Sequence, residues 1–184
     1  ELDTTPLSFF QVNIGQAENV LRRIGGEVGP ARRGRLVDAY AGVGALSIPL
    51  ASRFRDVVAI ESVRHSCELA GENAKRNGAS RYRVMRGDAA ELLERACAGG
   101  GESGEDAIIL DPPRSGLSPQ AVASIARSGV TSVYYLSCEP LTQARDLERL
   151  VRDGGYRVLR IAPFDMFPQT FHVECLVVLG KGRP

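Results

Sequence analysis

The chain has 184 residues, of which 43% are hydrophobic and 24% charged, the balance of one folded domain rather than a disordered tail, a coiled coil or a disulfide-stapled mini-protein. A chain of this length buries roughly 70% of its unfolded surface, enough for a core of its own. Its 23 Lys and Arg nearly cancel 22 Asp and Glu, leaving a formal charge of +1, so overall charge announces no polyanion partner; local patches or further segments must hold one.

Ile14, Ala17, Leu21 and Ile24 recur every three to four positions and predict an opening helix. Residues 35–42 read as a buried strand ending in a glycine turn, with 45–54 as the helix after it. A second strand is predicted over 56–62, a helix over 62–78 stopped by Asn77-Gly78, a third strand over 82–88 and a short helix over 89–97. The stretch 98–106 is glycine-rich and apolar-poor, a surface loop rather than a domain boundary. A fourth strand over 107–113 runs into Pro112-Pro113, where helix is sterically excluded. A fifth strand is expected at 130–137, a helix at 140–155, and final strands at 156–164 and 172–180. The last two are joined by a loop of about seven residues, which permits antiparallel pairing but no right-handed crossover. The alternation predicts one α/β domain over residues 1–184, with a doubly wound, mostly parallel seven-stranded sheet finished by an antiparallel C-terminal hairpin.

Cys67, Cys97, Cys138 and Cys175 form no CxxC pair and no short cluster with His65 or His172, so a metal centre has no support and a reducing, cytoplasmic setting is expected. No apolar run approaches the ~20 residues that cross a bilayer, so no membrane association is expected. No signal peptide opens the chain, and Glu1 in place of Met suggests a piece of a longer protein.

Ligands of a doubly wound sheet bind beyond the carboxyl ends of its strands, near the reversal of strand order. After the first strand comes Asp38-Ala39-Tyr40-Ala41-Gly42-Val43-Gly44-Ala45, whose glycines let the backbone turn sharply and approach a ligand. Glu61 ends the second strand, where a carboxylate can accept both hydroxyls of a ribose; Asp88 ends the third and can hold an adenine amino group. A dinucleotide site wants a third Gly or Ala in GxGxxG, where this chain has Ser47. An acidic residue at the end of strand one suits a cationic cofactor such as S-adenosylmethionine better than a pyrophosphate. The competing reading leaves Gly42 and Gly44 as a tight turn and Glu61 as a solvated strand end.

The fourth strand ends in Asp111-Pro112-Pro113-Arg114. Amine methyltransferases usually follow such prolines with an aromatic residue that stacks on the target base, and Arg114 weakens that reading. Arg114 itself is open between a phosphate partner and a surface ion pair. Cys138, in Tyr135-Leu136-Ser137-Cys138-Glu139-Pro140, stands at the start of a predicted helix, where the dipole and free N–H groups are expected to lower the thiol pKa. Cys67 and Cys97 read as small packing residues, and Cys175 points to the opposite face from Glu174 and also reads as core.

Phe9-Phe10-Gln11-Val12-Asn13 and the segments 38–51, 110–117, 135–147 and 164–179, taken together, resemble the RNA uracil-5 methyltransferases across residues 9–179. The resemblance implies a Rossmann-like methyltransferase catalytic domain that uses S-adenosylmethionine on a uridine of tRNA or rRNA. It implies Cys138 as the nucleophile at carbon 6 of uracil and Glu174 as the base that removes the carbon-5 proton. Gln11, Tyr40, Gly42, Ala45, Glu61, Asp88 and Asp111 fall at its cofactor-contact positions. Asp111 and Gln11 stay open between cofactor and base, and Phe9 between base pocket and core. The target uridine is expected to be flipped into the pocket. Family members usually carry N-terminal RNA-binding portions, often OB-like and sometimes with an iron–sulfur cluster, and neither is within this chain. A monomer without metal is expected. An RNA cytosine-5 methyltransferase and a non-catalytic RNA-binding or chaperone domain are the alternatives.

Overall fold

The computed structural model describes residues 2–4, 13–30, 33–98, 105–170 and 173–181; Phe9, Phe10, Gln11, His172 and most of the glycine-rich stretch 98–106 lie outside them. The elements in chain order are α1 (Ile14–Val28), β1 (Arg33–Ala39), a 3-10 helix (Ile48–Arg53), β2 (Phe54–Glu61), α2 (Arg64–Arg76), β3 (Tyr82–Arg86), α3 (Ala89–Cys97), β4 (Ala107–Leu110), α4 (Pro119–Arg127), β5 (Ser132–Ser137), α5 (Pro140–Gly154), β6 (Tyr156–Phe164) and β7 (Glu174–Lys181). Side chains fix several helix starts. Asn13 accepts the Gln16 N–H at 3.2 Å ahead of α1, Asp88 the Ala90 N–H at 2.7 Å ahead of α3, and Ser118 the Ala121 N–H at 3.1 Å ahead of α4.

The strands form one seven-stranded sheet in the order β3-β2-β1-β4-β5-β7-β6. β1 to β5 are parallel, β7 runs antiparallel to β5, and β6 antiparallel to β7, as the chain alternation and the short final link predict. Side chains alternate faces with period two, so each buried strand feeds two layers. Leu36, Ile109, Tyr134 and Leu176 pack with Val20, Ile24 and Val28 of α1; Val37, Ile108, Tyr135 and Val177 pack with Leu93, Ile125 and Leu150 of α3, α4 and α5. Tyr134 and Tyr135 are adjacent, fully buried and on opposite faces, so β5 anchors both layers, each ring contributing on the order of 2 kcal/mol by burial.

Two local expectations are corrected. Residues 45–54 are not an α-helix: turns run from Gly42 to Ser47, and only Ile48–Arg53 coil, as a 3-10 helix. Pro49 lacks the N–H that an α-helical ladder needs there, and the Leu50 N–H bonds the Ser47 carbonyl three residues back at 3.1 Å. Helix α4 is an element that the strand-by-strand reading leaves out. Its signal was present in Ser118-Pro119, an N-cap followed by a first-turn proline, with Ala121, Val122 and Ile125 facing the core.

The order of the strands reverses between β1 and β4, where Asp38 pairs with Ile109 and Ala39 with Leu110. Tyr40 and Asp111 therefore leave the sheet side by side, and at the same edge β5 ends and β7 begins.

Candidate active site

The loop leaving β1 is held in conformations that L side chains rarely take. Tyr40 has φ 70°, Gly42 55° and Gly44 85°. A Cβ on Gly44 would lie 2.5 Å from the Ile48 side chain, so glycine is required there by space as well as by φ. For Tyr40 the strain is of order 1–3 kcal/mol, which the surrounding structure must offset. The loop walls a cleft of about 590 Å³ that brings Asp38, Tyr40, Gly42, Ala45 and Asp111 together, with Ile14 and Ala17 of α1 opposite.

Glu61 is oriented before any ligand arrives. Its Oε2 accepts the Gly42 N–H at 2.9 Å and its Oε1 the Val63 N–H at 2.7 Å, tying the end of β2 to the glycine loop. Asp88 caps α3 and lines a second hollow of about 470 Å³ with Tyr40, Pro113, Leu117 and Arg149. Tyr40 is thus shared by the two hollows; Gly42, Ala45 and Asp111 line the first and Asp88 the second, while Glu61 lines neither and is tied to the first through its bond to Gly42.

Asp38 decides what charge the cleft prefers. It is 1% exposed, and its Oδ2 is buried with no hydrogen-bond partner. Burial pushes its carboxyl up to about 7, with the Glu61 charge adding to the shift and a bond from Ser47 opposing it. Ser47 in turn bonds the Tyr82 hydroxyl at 2.9 Å. An orphaned carboxylate oxygen on the cleft wall, with Glu61 and Asp111 nearby, suits a cation and repels a pyrophosphate. In the sequence Asp38 is the acid that favours a cationic cofactor, but it is not named among the cofactor contacts.

A second cluster lies at the ends of β5 and β7. Ser137 pairs with Cys175, so Cys138, one position beyond β5, and Glu174, the first residue of β7, leave that end of the ladder together, and the Glu174 charge acts on the thiol. The Ser137 hydroxyl accepts the Glu139 N–H at 3.1 Å, which tightens the turn and turns Cys138 out of the sheet. Cys138 is half-buried, and the Arg114 charge reaches its sulfur, favouring the thiolate. Glu174 is 5% exposed, and its Oε2 is buried without a partner. Arg114 joins no ion pair among the described residues, and its charge acts on both groups.

The expected direction of the Cys138 thiol is corrected. Burial and the Glu174 charge push it up, while Arg114 opposes them. The helix dipole contributes little because Cys138 precedes the cap of α5, and that cap is Glu139, whose carboxylate accepts the Leu141 N–H at 3.5 Å. The Glu174 carboxyl is likewise raised by burial, with Arg114 opposing. Of the other thiols, Cys97 is buried in the core and pushed up to about 11, Cys175 packs against the core, and Cys67 donates to the Glu61 carbonyl at 3.2 Å. Segment 111–117 connects the two clusters, since Asp111 lines the cleft and Arg114 meets Cys138.

Among the described residues no group of three or more His, Cys, Asp and Glu stands where it would hold a metal ion, and no helix is long and apolar enough to cross a membrane.

Known proteins are similar to this chain over nearly its whole length. Residues 4–182 match the family described as tRNA (uracil-5-)-methyltransferase. An uncharacterized RNA methyltransferase of Gloeobacter violaceus is 41% identical over 177 residues, covering 96% of this chain and 37% of that protein. One from Geobacter sulfurreducens is 38% identical over 182 residues, covering 98% of this chain and 36% of that protein. The crystal structure of the Pyrococcus abyssi tRNA (uracil-54, C5)-methyltransferase in complex with S-adenosyl-L-homocysteine superposes with a TM-score of 0.78 at 34% identity, over 95% of this chain and 40% of that one. The chain thus spans well under half the length of the relatives it matches. With residues 4–182 of this chain matched by the family and the fold shared with a solved member, the chain belongs to the tRNA (uracil-5-)-methyltransferase family.

Proposed function

We propose that this chain is the catalytic portion of an S-adenosylmethionine-dependent methyltransferase that modifies carbon 5 of a uridine in tRNA or rRNA through a covalent cysteine adduct. The observation that carries this reading is the convergence of a half-buried thiol, a guanidinium and an unpartnered buried carboxylate, Cys138, Arg114 and Glu174, beside a cleft with an acidic wall.

When bound, S-adenosylmethionine supplies an electrophilic methyl group on a sulfonium and leaves as S-adenosylhomocysteine. The residues present fit it: Asp38 offers an unpartnered acceptor to the cationic part, and Glu61 is oriented for ribose hydroxyls. Asp88, Tyr40 and Ala45 line the hollows where the rest would lie, with Gly42 opening the backbone and Asp111 closing the side toward the base. Gln11, outside the described residues, completes the cofactor set in this reading.

Carbon 5 of uracil is a weak nucleophile until carbon 6 is saturated. The Cys138 sulfur forms a bond to carbon 6, and the pair from the carbon 5–carbon 6 double bond moves toward oxygen 4 as an enolate. Carbon 5 of the enolate takes the methyl group. The Glu174 carboxylate then accepts the carbon-5 proton, the double bond reforms, and the carbon–sulfur bond breaks to return the Cys138 thiolate. An enolate develops negative charge beside Arg114, whose guanidinium faces both the sulfur and Glu174. Reaching Cys138 and the methyl group together requires the uridine to leave its stack. Four unpaired cysteines suit a reducing cytoplasm, and we read the working unit as a monomer.

Incubation of RNA with a labelled methyl donor followed by nucleoside analysis tests the reading. Labelled 5-methyluridine is expected. Label in 5-methylcytidine would move the chain to the cytosine-5 reaction, and cofactor binding without label in any RNA would favour the non-catalytic reading.

A further inference from the structure

The segment Thr142-Gln143-Ala144-Arg145-Asp146 of α5 carries no role in the reaction above, yet its side chains contact the backbone around each of the three reacting groups. The Thr142 hydroxyl donates to the Arg114 carbonyl at 2.9 Å and also reaches the Glu139 carbonyl at 3.1 Å. One turn further on, Arg145 donates from Nη2 to the Ser115 carbonyl at 2.9 Å. Asp146, 0% exposed, accepts the Leu117 N–H at 2.7 Å and the Tyr135 hydroxyl at 2.8 Å on one oxygen, and Arg145 on the other at 2.8 Å. Gly116 has φ 75°, and a Cβ there would meet Asp146 at 2.5 Å and Arg145 at 2.9 Å, so loop and helix touch without slack. Gln143, buried on the neighbouring face, donates to the Tyr135 carbonyl at 2.9 Å and the Cys175 carbonyl at 3.0 Å, next in chain to Glu174.

Positions 142, 145 and 146 share one helical face, and that face grips the backbone of residues 114, 115 and 117. Cys138 leads covalently into the same helix through its cap, Glu139. Arg114 is exposed at its tip and would sample many rotamers if its backbone were free. We propose that Thr142, Arg145 and Asp146 are positioning residues that lock the 114–117 loop to α5, so that the Arg114 guanidinium is held near Cys138. This rests on Cys138 as the nucleophile, but its consequence for the thiol exists without RNA or cofactor. The lock holds in place Arg114, whose positive charge opposes burial and Glu174 at the sulfur. Loosening it withdraws that charge and disfavours the thiolate.

The test is the pH profile of iodoacetamide alkylation of Cys138, followed in the Cys138 peptide by mass spectrometry so that Cys67, Cys97 and Cys175 do not contribute. Arg114→Met sets the scale, with the midpoint expected to rise by about one pH unit. Thr142→Val, which keeps shape and loses the hydroxyl, is expected to raise it by about half as much, and Thr142→Ser to return it to the parent value. Arg145→Gln provides a second removal should the valine variant unfold, and is expected to raise the midpoint in the same way. A folded Thr142→Val or Arg145→Gln with the parent midpoint overturns the proposal, as does a serine variant that shifts as far as valine. Absence of methylation by the parent chain would sink the proposed reaction and leave this thiol measurement standing.

Discussion

Glu174 faces Cys138 across the end of the β5–β7 ladder, and its charge works against the thiolate that the proposed reaction needs. In the proposed reaction the same carboxylate accepts the carbon-5 proton, so one residue would oppose the first step and complete the last. Removing its charge therefore separates the two effects. Glu174→Gln is expected to lower the pH midpoint of Cys138 alkylation, because a negative neighbour is gone, and to trap a methylated RNA adduct on the protein. Gel-shift under denaturing conditions reads the adduct; an unmoved or raised midpoint, or release at the parent rate, contradicts it.

Cys138→Ala is expected to abolish the covalent adduct and to reduce methylation by more than about a thousandfold, as loss of a nucleophile does. Cofactor affinity should stay within about threefold, since the cleft is built by Asp38, Tyr40 and the glycine loop rather than by the thiol. Calorimetric binding of S-adenosylhomocysteine checks the second half. Full turnover by the alanine variant would end the covalent reading.

Asp38 predicts a pH signature of its own. A carboxyl raised from 3.8 to about 7 binds a proton in the folded state that the unfolded chain has already lost. The folded chain thus loses stability from this group as pH rises from about 4 through 7, by at most about 4 kcal/mol. Asp38→Asn should remove this slope, raising the melting temperature at pH 8, while weakening cofactor binding about tenfold or more. Conversely, cofactor affinity of the parent should rise with pH through 7, because a cation favours the ionised carboxylate. Melting curves and titrations at pH 5 and pH 8 decide it, and pH-independent affinity would remove Asp38 from the site.

Gly44→Ala is expected to destabilise the fold by roughly 2 kcal/mol, since the new Cβ meets Ile48 at 2.5 Å on a backbone with φ 85°. For a domain of this size that is a fall of roughly 4–8 °C in melting temperature. A variant that melts with the parent would mean the loop relaxes without cost.

Much of the fold was legible along the chain. The apolar runs at 107–110 and 132–137, buried on both sides, and the amphipathic spacing of α1 carry their structure locally. The misread stretch at 45–54 failed because its apolar spacing resembled a helix while Pro49 and two positive-φ glycines denied one. Helix α4 was missed beside a double proline, although Ser118-Pro119 opens a new helix immediately after it. Cys138 is singled out by its place before a helix and Glu174 by the family resemblance, whereas the direction of the thiol was not legible. That direction depends on burial, on the carboxylate facing it from β7 and on the arginine of a loop two elements earlier, none of which is near in sequence.

The amino-acid order by itself determined the alternation of strands and helices and the antiparallel finish, because period, capping and side-chain type are local properties; the nucleophile and base candidates came from a motif and a family resemblance. Only the tertiary structure decided that Arg114, Cys138 and Glu174 meet, that Asp38 keeps an unpartnered oxygen on the cleft wall, and that α5 grips the loop between them. Proximity and desolvation arise when strands far apart in the chain pair in one register, and charges acquire their strength only in the surroundings that this pairing creates.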